Sequence, residues 1–263
     1  MFWNGLKAAS SAIIAHMKNR SLAPEQKYYG IHACLAIWKK RPQDVIRLYL
    51  HESNIKNFTP ILKWCSIHKK AYHIVTDDEL QKITQSVHHE GICVLAKELQ
   101  PLNFAECLAA LKGPKICLLY LDGVQNPHNV GSILRTCAHF GIPYILGSHL
   151  PVLSASACRI AKGGAELVRL VQLDKPLAAI AQLKKESFAF IGTSSHGGVS
   201  LYQYKYPVRT LLAFGSESDG MSKPLLNLTT QKIQIPGTGL IESLNVSVAT
   251  SLCLGEYTRQ HSP

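Results

Sequence analysis

Residues 235–249 constrain this chain more tightly than any other stretch. An apolar run ends at Ile235, the turn Pro236-Gly237-Thr238-Gly239 follows, and Ser243 and Asn245 open a segment in which Leu244, Val248, Leu252 and Gly255 recur at intervals of three to four. That spacing predicts a helix. A strand that runs through a tight glycine loop into a helix leaves backbone N–H and C=O groups free to hold a ligand. The same grammar recurs from Asp122 to Cys137 and from Leu211 to Leu226. Three loops of this kind in one domain are therefore available to converge on a single site.

The elements around these loops predict an α/β fold. Strand signals fall at 115–121, 143–146, 166–171, 188–193, 208–214 and 231–235, with helical stretches between most of them and a closing helix over 244–259. Such alternation predicts a mostly parallel sheet in a domain spanning 114–263. Upstream, 28–97 alternates on a smaller scale. Helical spacing over 29–39 and 55–68 and a capped helix from Asp77 to Gln85 are interleaved with strands at 45–50, 71–75 and 92–96, a second and smaller α/β domain. Residues 98–113 read as a connecting helix and linker. In the extension 1–27, Phe2, Leu6, Ala9, Ile13 and Met17 share one helical face. This predicts a docked helix, with a transit-like peptide as the alternative. Its apolar part is too short and broken for a secretory signal or a membrane span.

Composition narrows the function classes. The formal charge is +11, with the excess spread over both halves, and such a surface favours a polyanionic partner through counterion release and steering. Lys39-Lys40-Arg41 and Lys69-Lys70 are the candidate phosphate contacts, and His88-His89 the candidate for stacking on RNA bases. Eight scattered cysteines without a CxxC pair predict buried reduced thiols in a cytoplasmic protein rather than a disulfide frame or a metal site. The chain holds no GxGxxG after a strand, no GxxxxGK[ST] and no GxSxG. Those absences remove the main support for a dinucleotide-binding fold, a P-loop nucleotidase and a serine hydrolase.

Within the loops, Asn129 and Arg135 lie six apart on one predicted helix and do not closely share a face. Gly131, Ser132, Thr136 and Ala138 surround Arg135 with small side chains that leave room for another element. Glu217 stands two residues past the strand-end Gly215, placed to orient an arginine or bind a ligand, although such a residue is by default a helix-start charge. Each loop alone is weak.

Together the loops resemble the SpoU/TrmH family of RNA ribose 2′-O-methyltransferases, in the SPOUT class. The family's motifs match as Asn129-Val-Gly-Ser-Ile-Leu-Arg135-Thr, as Phe214-Gly-Ser-Glu217 with Gly220, and as Ile235-Pro with Gly239 followed by Ser243-Leu-Asn245-Val-Ser-Val-Ala. Upstream, Tyr29-Gly-Ile-His-Ala and His88-His-Glu-Gly-Ile resemble the N-terminal RNA-recognition domain of the bacterial rRNA and tRNA members. The resemblance implies a trefoil knot, a homodimer and S-adenosylmethionine as cofactor. It implies cofactor contacts at Gly215, Ile235 and Leu244 and a reacting centre of Asn129, Arg135, Glu217, Ser243 and Asn245, with no metal. The reaction implied is methyl transfer to a ribose 2′-OH in structured rRNA or tRNA; the alternative is an RNA-binding protein that keeps the fold without turnover. Departures from the family pattern are Gly237 where many members carry Met, Cys137 where Ala is common, and Gly255 in place of a larger residue. Gly237 adds freedom beside the cofactor loop.

Overall fold

The computed structural model describes residues 24–261, so most of the extension 1–27, where a docked helix was expected, lies outside the described residues. The chain divides into two units that meet at Gln100 and Pro101.

The first unit is built on a four-stranded sheet of β1 (Glu25–Tyr29), β2 (Val45–His51), β3 (Ala71–Val75) and β4 (Ile92–Lys97), in the order β1-β4-β2-β3. β4 runs antiparallel to both neighbours, and β2 and β3 are parallel. β1 was not anticipated. Its register, Glu25 opposite Lys97 through Tyr29 opposite Cys93, draws residues assigned to the extension into the sheet. Helices α1 (Ile31–Lys40), α2 (Ile55–Ile67) and α3 (Asp77–Thr84) complete the unit. α3 starts on a reciprocal cap: Thr76 Oγ1 accepts from Glu79 N at 3.3 Å while Glu79 Oε2 accepts from Thr76 N at 2.8 Å, an arrangement that satisfies two end donors.

Two expected RNA contacts are structural instead. Arg41 is 2% exposed, lies over the Tyr28 ring, sits 3.7 Å from Asp44 and donates to the Lys97 carbonyl. His89 is buried, and its Nδ1 accepts from Gly91 N at 3.1 Å while its carbonyl accepts from Gly30 N and Ile92 N. Both side chains hold the unit together, because a buried polar group is tolerated only when paired.

The second unit carries an eight-stranded sheet. Its strands are β5 (Leu102–Asn103), β6 (Ile116–Asp122), β7 (Tyr144–Gly147), β8 (Arg169–Gln172), β9 (Ala189–Thr193), β10 (Val199–Ser200), β11 (Arg209–Gly215) and β12 (Gln231–Gln234). The order is β10-β12-β9-β11-β6-β7-β8-β5, and every pairing is parallel. The centre reads as unbroken apolar runs, with Ile116 to Leu121 all buried, as a sheet covered on both faces requires. Each Leu or Phe buried there contributes about 1.5–3 kcal/mol. The segment 98–113 does hold a helix, α4 (Phe104–Ala110). It does not act as a linker, however. β5 pairs with β8, and Leu102, Phe104, Leu108 and Leu111 pack on the main core.

Helix α5 (Pro127–Phe140) follows β6, α6 (Ala155–Ile160) follows β7, α7 (Pro176–Lys185) follows β8 and α8 (Lys223–Leu226) follows β11; α9 (Val246–His261) closes the chain. α9 packs against α5, with Thr136 Oγ1 and Ser251 Oγ 3.1 Å apart. Its far end is pinned by Tyr257 Oη donating to Val208 O at 2.7 Å and Gln260 Nε2 donating to Tyr204 O at 2.8 Å. The apolar spacing that foretold this helix turns out to mark its uncovered side. Val246, Thr250, Cys253 and Tyr257 face the core, whereas Leu244, Val248 and Leu252 are 48%, 47% and 37% exposed.

All eight cysteines are free and buried. Burial pushes the thiols of Cys93, Cys107 and Cys253 up to about 12, which keeps them protonated and unreactive at neutral pH.

Candidate functional site

β6, β11 and β12 all end at the same edge of the parallel sheet, and the loops that leave them are those singled out in the sequence. In open α/β sheets ligands bind at this carboxyl edge.

The first loop enters α5 through Asn126, whose side chain accepts from His128 N at 2.9 Å, with Pro127 in the first helical turn. That start places Asn129 one turn in and facing inward, 8% exposed. Gly131, two residues on, lets α6 approach: an added Cβ would meet the Ala157 carbonyl and Ile160. The room left by small side chains along α5 is thus taken by another helix.

The second loop leaves β11 at Gly215, where a Cβ would collide with the backbone of Gly220 and Met221. Only glycine lets the 216–220 turn fold back this tightly, closed by Gly220 N donating to Ser216 O at 3.0 Å. Asp122 Oδ2, at the end of β6, accepts from Ser222 N at 2.7 Å and so ties this loop to the neighbouring strand.

The third loop, 235–245, joins the other two through Asn245. Asn245 Nδ2 donates to Asn129 Oδ1 and to Glu217 Oε1, each at 2.9 Å. Asn129 Nδ2 donates to the same Glu217 oxygen at 2.9 Å. Asn245 Oδ1 in turn accepts from Ser247 N at 2.9 Å and from Ser247 Oγ at 2.6 Å, which fixes the amide's orientation. Three loops, one from each strand, therefore meet on one carboxylate through charge-assisted hydrogen bonds.

The remaining candidates stand apart from this network. Arg135 is exposed on α5 and makes no hydrogen bond or ion pair with any described residue. Glu217 makes no hydrogen bond or ion pair with Arg135; its Oε1 accepts from the two asparagines instead. Ser243 is exposed, as is Leu244, while Ile235 and Gly215 are half-buried. From Gly237 to Leu244 the one hydrogen bond from a backbone N–H to a described residue is Leu240 N to Thr238 Oγ1 at 3.4 Å. Gly239 has a positive φ of 79°, and Gly237 faces open space. Leu240 and Ile241 are 86% and 78% exposed. Sequence reasoning did not single out Asp122 or Ser247 as anchors. The signal for Ser247 was its place two residues after Asn245, the spacing at which an Asn side chain caps a helix start.

A parallel sheet with three carboxyl-edge loops tied around one glutamate is the arrangement by which open α/β proteins present a ligand site at a sheet edge. The chain belongs to the SpoU rRNA Methylase family, whose model matches residues 117–255. A second family model, described as RNA 2′-O ribose methyltransferase substrate binding, matches 28–102. Over 255 residues the chain is 32% identical to a protein named uncharacterized tRNA/rRNA methyltransferase YfiF of Escherichia coli O157:H7, covering 97% of this chain and 74% of that one. It is 30% identical over 240 residues to the 23S rRNA (guanosine-2′-O-)-methyltransferase RlmB of Escherichia coli K12, covering 89% of this chain and 98% of the relative. Among solved structures, the SpoU methyltransferase AviRb from Streptomyces viridochromogenes, in complex with AdoMet, superposes with a TM-score of 0.74 at 19% identity, over 92% of each chain.

Proposed function

We propose that this protein transfers a methyl group from S-adenosylmethionine to a ribose 2′-OH in structured rRNA or tRNA. The observation that carries the reading is the convergence of Asn129, Glu217 and Asn245, which gathers three family motifs into one site.

The chain's own groups fit the cofactor. Apart from Leu240 N, the backbone N–H groups between Gly237 and Leu244 have no partner among the described residues and suit the polar edge of an adenine, and the exposed Leu240, Ile241 and Leu244 suit its faces. Gly215, Ile235 and Leu244 would hold it. When bound, S-adenosylmethionine supplies a methyl group already activated on a positively charged sulfur.

A ribose hydroxyl is a very weak acid, so the protein must hold it in line and stabilise the negative charge that develops on it. Arg135 is the residue for that task, since it is a permanent cation with no side-chain partner among the described residues to release first. It stabilises the developing oxyanion or grips the adjacent phosphate. Asn129, Glu217 and Asn245 hold the loops in register around it, and the Ser243 hydroxyl offers a neutral hydrogen bond to the substrate.

The protein acts as a homodimer in the cytoplasm. Support for the dimer comes from Val248 and Leu252, an apolar face of α9 left uncovered among the described residues. A trefoil knot formed by the segment after β12 belongs to the same reading, supported by α9 returning to pack on α5 after the third loop. The test is methyl incorporation from labelled S-adenosylmethionine into cellular RNA, alongside calorimetry of cofactor binding. Cofactor binding without incorporation would instead favour an RNA-binding protein that keeps the fold.

A further inference from the structure

The first unit is electrically lopsided. Between 53 and 76 the chain holds Lys56, Lys63, Lys69 and Lys70 and no carboxylate, whereas Asp77, Asp78, Glu79 and Glu90 crowd the next stretch. The cationic stretch is α2, its terminal turn and β3, the last strand of the sheet, whose outer edge is unpaired among the described residues.

Aromatic surface lies on that same edge. Tyr72 is 43% exposed, whereas His73, the next residue of the strand, projects from the opposite face of the sheet and is stacked there on Tyr49, ring centroids 5.6 Å apart at 21°. Lys56 and Lys63 are seven apart on α2, hence on one face of it. Lys69 and Lys70 stand in a rigid turn. Lys69 has a φ of 52°, and Lys69 N and Lys70 N donate to Ser66 O and Cys65 O at 3.3 and 2.8 Å.

A groove in this unit lacks that cationic character. It has a volume of about 730 Å³ and runs along α3 to His88, with Asp78 and Lys82 as its charged lining residues. Their opposite charges offset each other and leave little net attraction for a phosphate backbone.

We propose that the β3 edge and the adjoining α2 face form a docking surface for single-stranded RNA, with a base on Tyr72 and phosphates on Lys63, Lys69 and Lys70. Cation-lined edges with exposed rings suit single strands, whose bases are free to stack. This inference rests on RNA being the substrate, and it names where the first unit grips it.

The test is fluorescence anisotropy of the full chain with a short labelled single-stranded RNA of mixed sequence, across a salt series. Tyr72→Ala weakens binding roughly tenfold, whereas Tyr72→Trp retains it. Lys69→Gly with Lys70→Ala keeps the left-handed turn and lowers the slope of log affinity against log salt by about 1.4. Lys82→Ala in the groove leaves affinity within about twofold. Wild-type binding that is indifferent to the edge variants overturns the proposal. So does a change in oligomeric state without loss of RNA affinity, which would make the edge a site for a protein strand. A wild-type chain that neither binds RNA nor methylates it overturns the parent reading instead.

Discussion

Two regions of the site are built on opposite terms. Around Glu217, three loops are locked by side-chain hydrogen bonds of 2.9 Å that the folded chain supplies to itself. Elsewhere in the site, the side chains of Arg135 and Ser243 and the backbone N–H groups from Gly237 to Leu244 have almost no partners among the described residues. The first region is a frame and the second a set of vacant donors. Groups that are satisfied within the protein hold geometry, and groups left unsatisfied at a defined edge are the ones a ligand can reward.

The sharpest way to break this contrast is Arg135→Ala. Methyl incorporation should fall by about 10²–10³-fold while stability moves by no more than about 0.5 kcal/mol, as for an exposed residue without partners. Retained activity in a filter assay would remove Arg135 from the reaction. Next comes the uncovered α9 face. Val248→Asp should cost the dimer about 1.5–3 kcal/mol, read as dissociation in sedimentation equilibrium, and an unchanged dimer would place the interface elsewhere.

Asn245→Ala tests the frame itself. It strips the donor from the buried Asn129 oxygen and one from Glu217, and urea unfolding should show a loss of about 1–2 kcal/mol. Ser243→Ala, in the open region, should show none. Equal losses would erase the distinction between the two regions.

The smallest effect concerns the end of α9. Hydrogen bonds from Arg259 and Gln260 hold the Glu256 carboxyl down at about 2. Its folded value lies below the unfolded one, so its contribution is complete above about pH 4.5 and is lost as pH falls toward 2. Arg259 is largely exposed, which limits the effect to about 1 kcal/mol or less. Glu256→Gln should flatten thermal stability across that acid window and nowhere else.

Much of this was readable from residue order. Strand and helix positions in the second unit follow from apolar runs and turn residues, which act locally, and the three loops were visible as Gly- and Pro-bearing breaks. The edge strands β1 and β5 were not. β1 lies in the polar stretch Glu25-Gln26-Lys27 with only two aromatics, and β5 has two residues, so pairing with β4 and β8 creates them rather than intrinsic pattern. Arg41 and His89 looked like surface charges because their burial depends on distant segments: Tyr28 and the Lys97 carbonyl close over Arg41, and Gly30 N reaches the backbone of His89 from the first strand's end.

The sequence by itself determined the α/β alternation, the loop chemistry and the membership of a family of RNA methylases, because periodicity, glycine placement and motif spacing are properties of the chain taken in order. Only the tertiary structure decided that Glu217 is bound by two asparagines from other loops and not by Arg135, and that the apolar stripe of α9 faces outward. Those outcomes depend on which distant segments meet, and periodicity reports that a helix has two faces without saying which one the rest of the chain will cover.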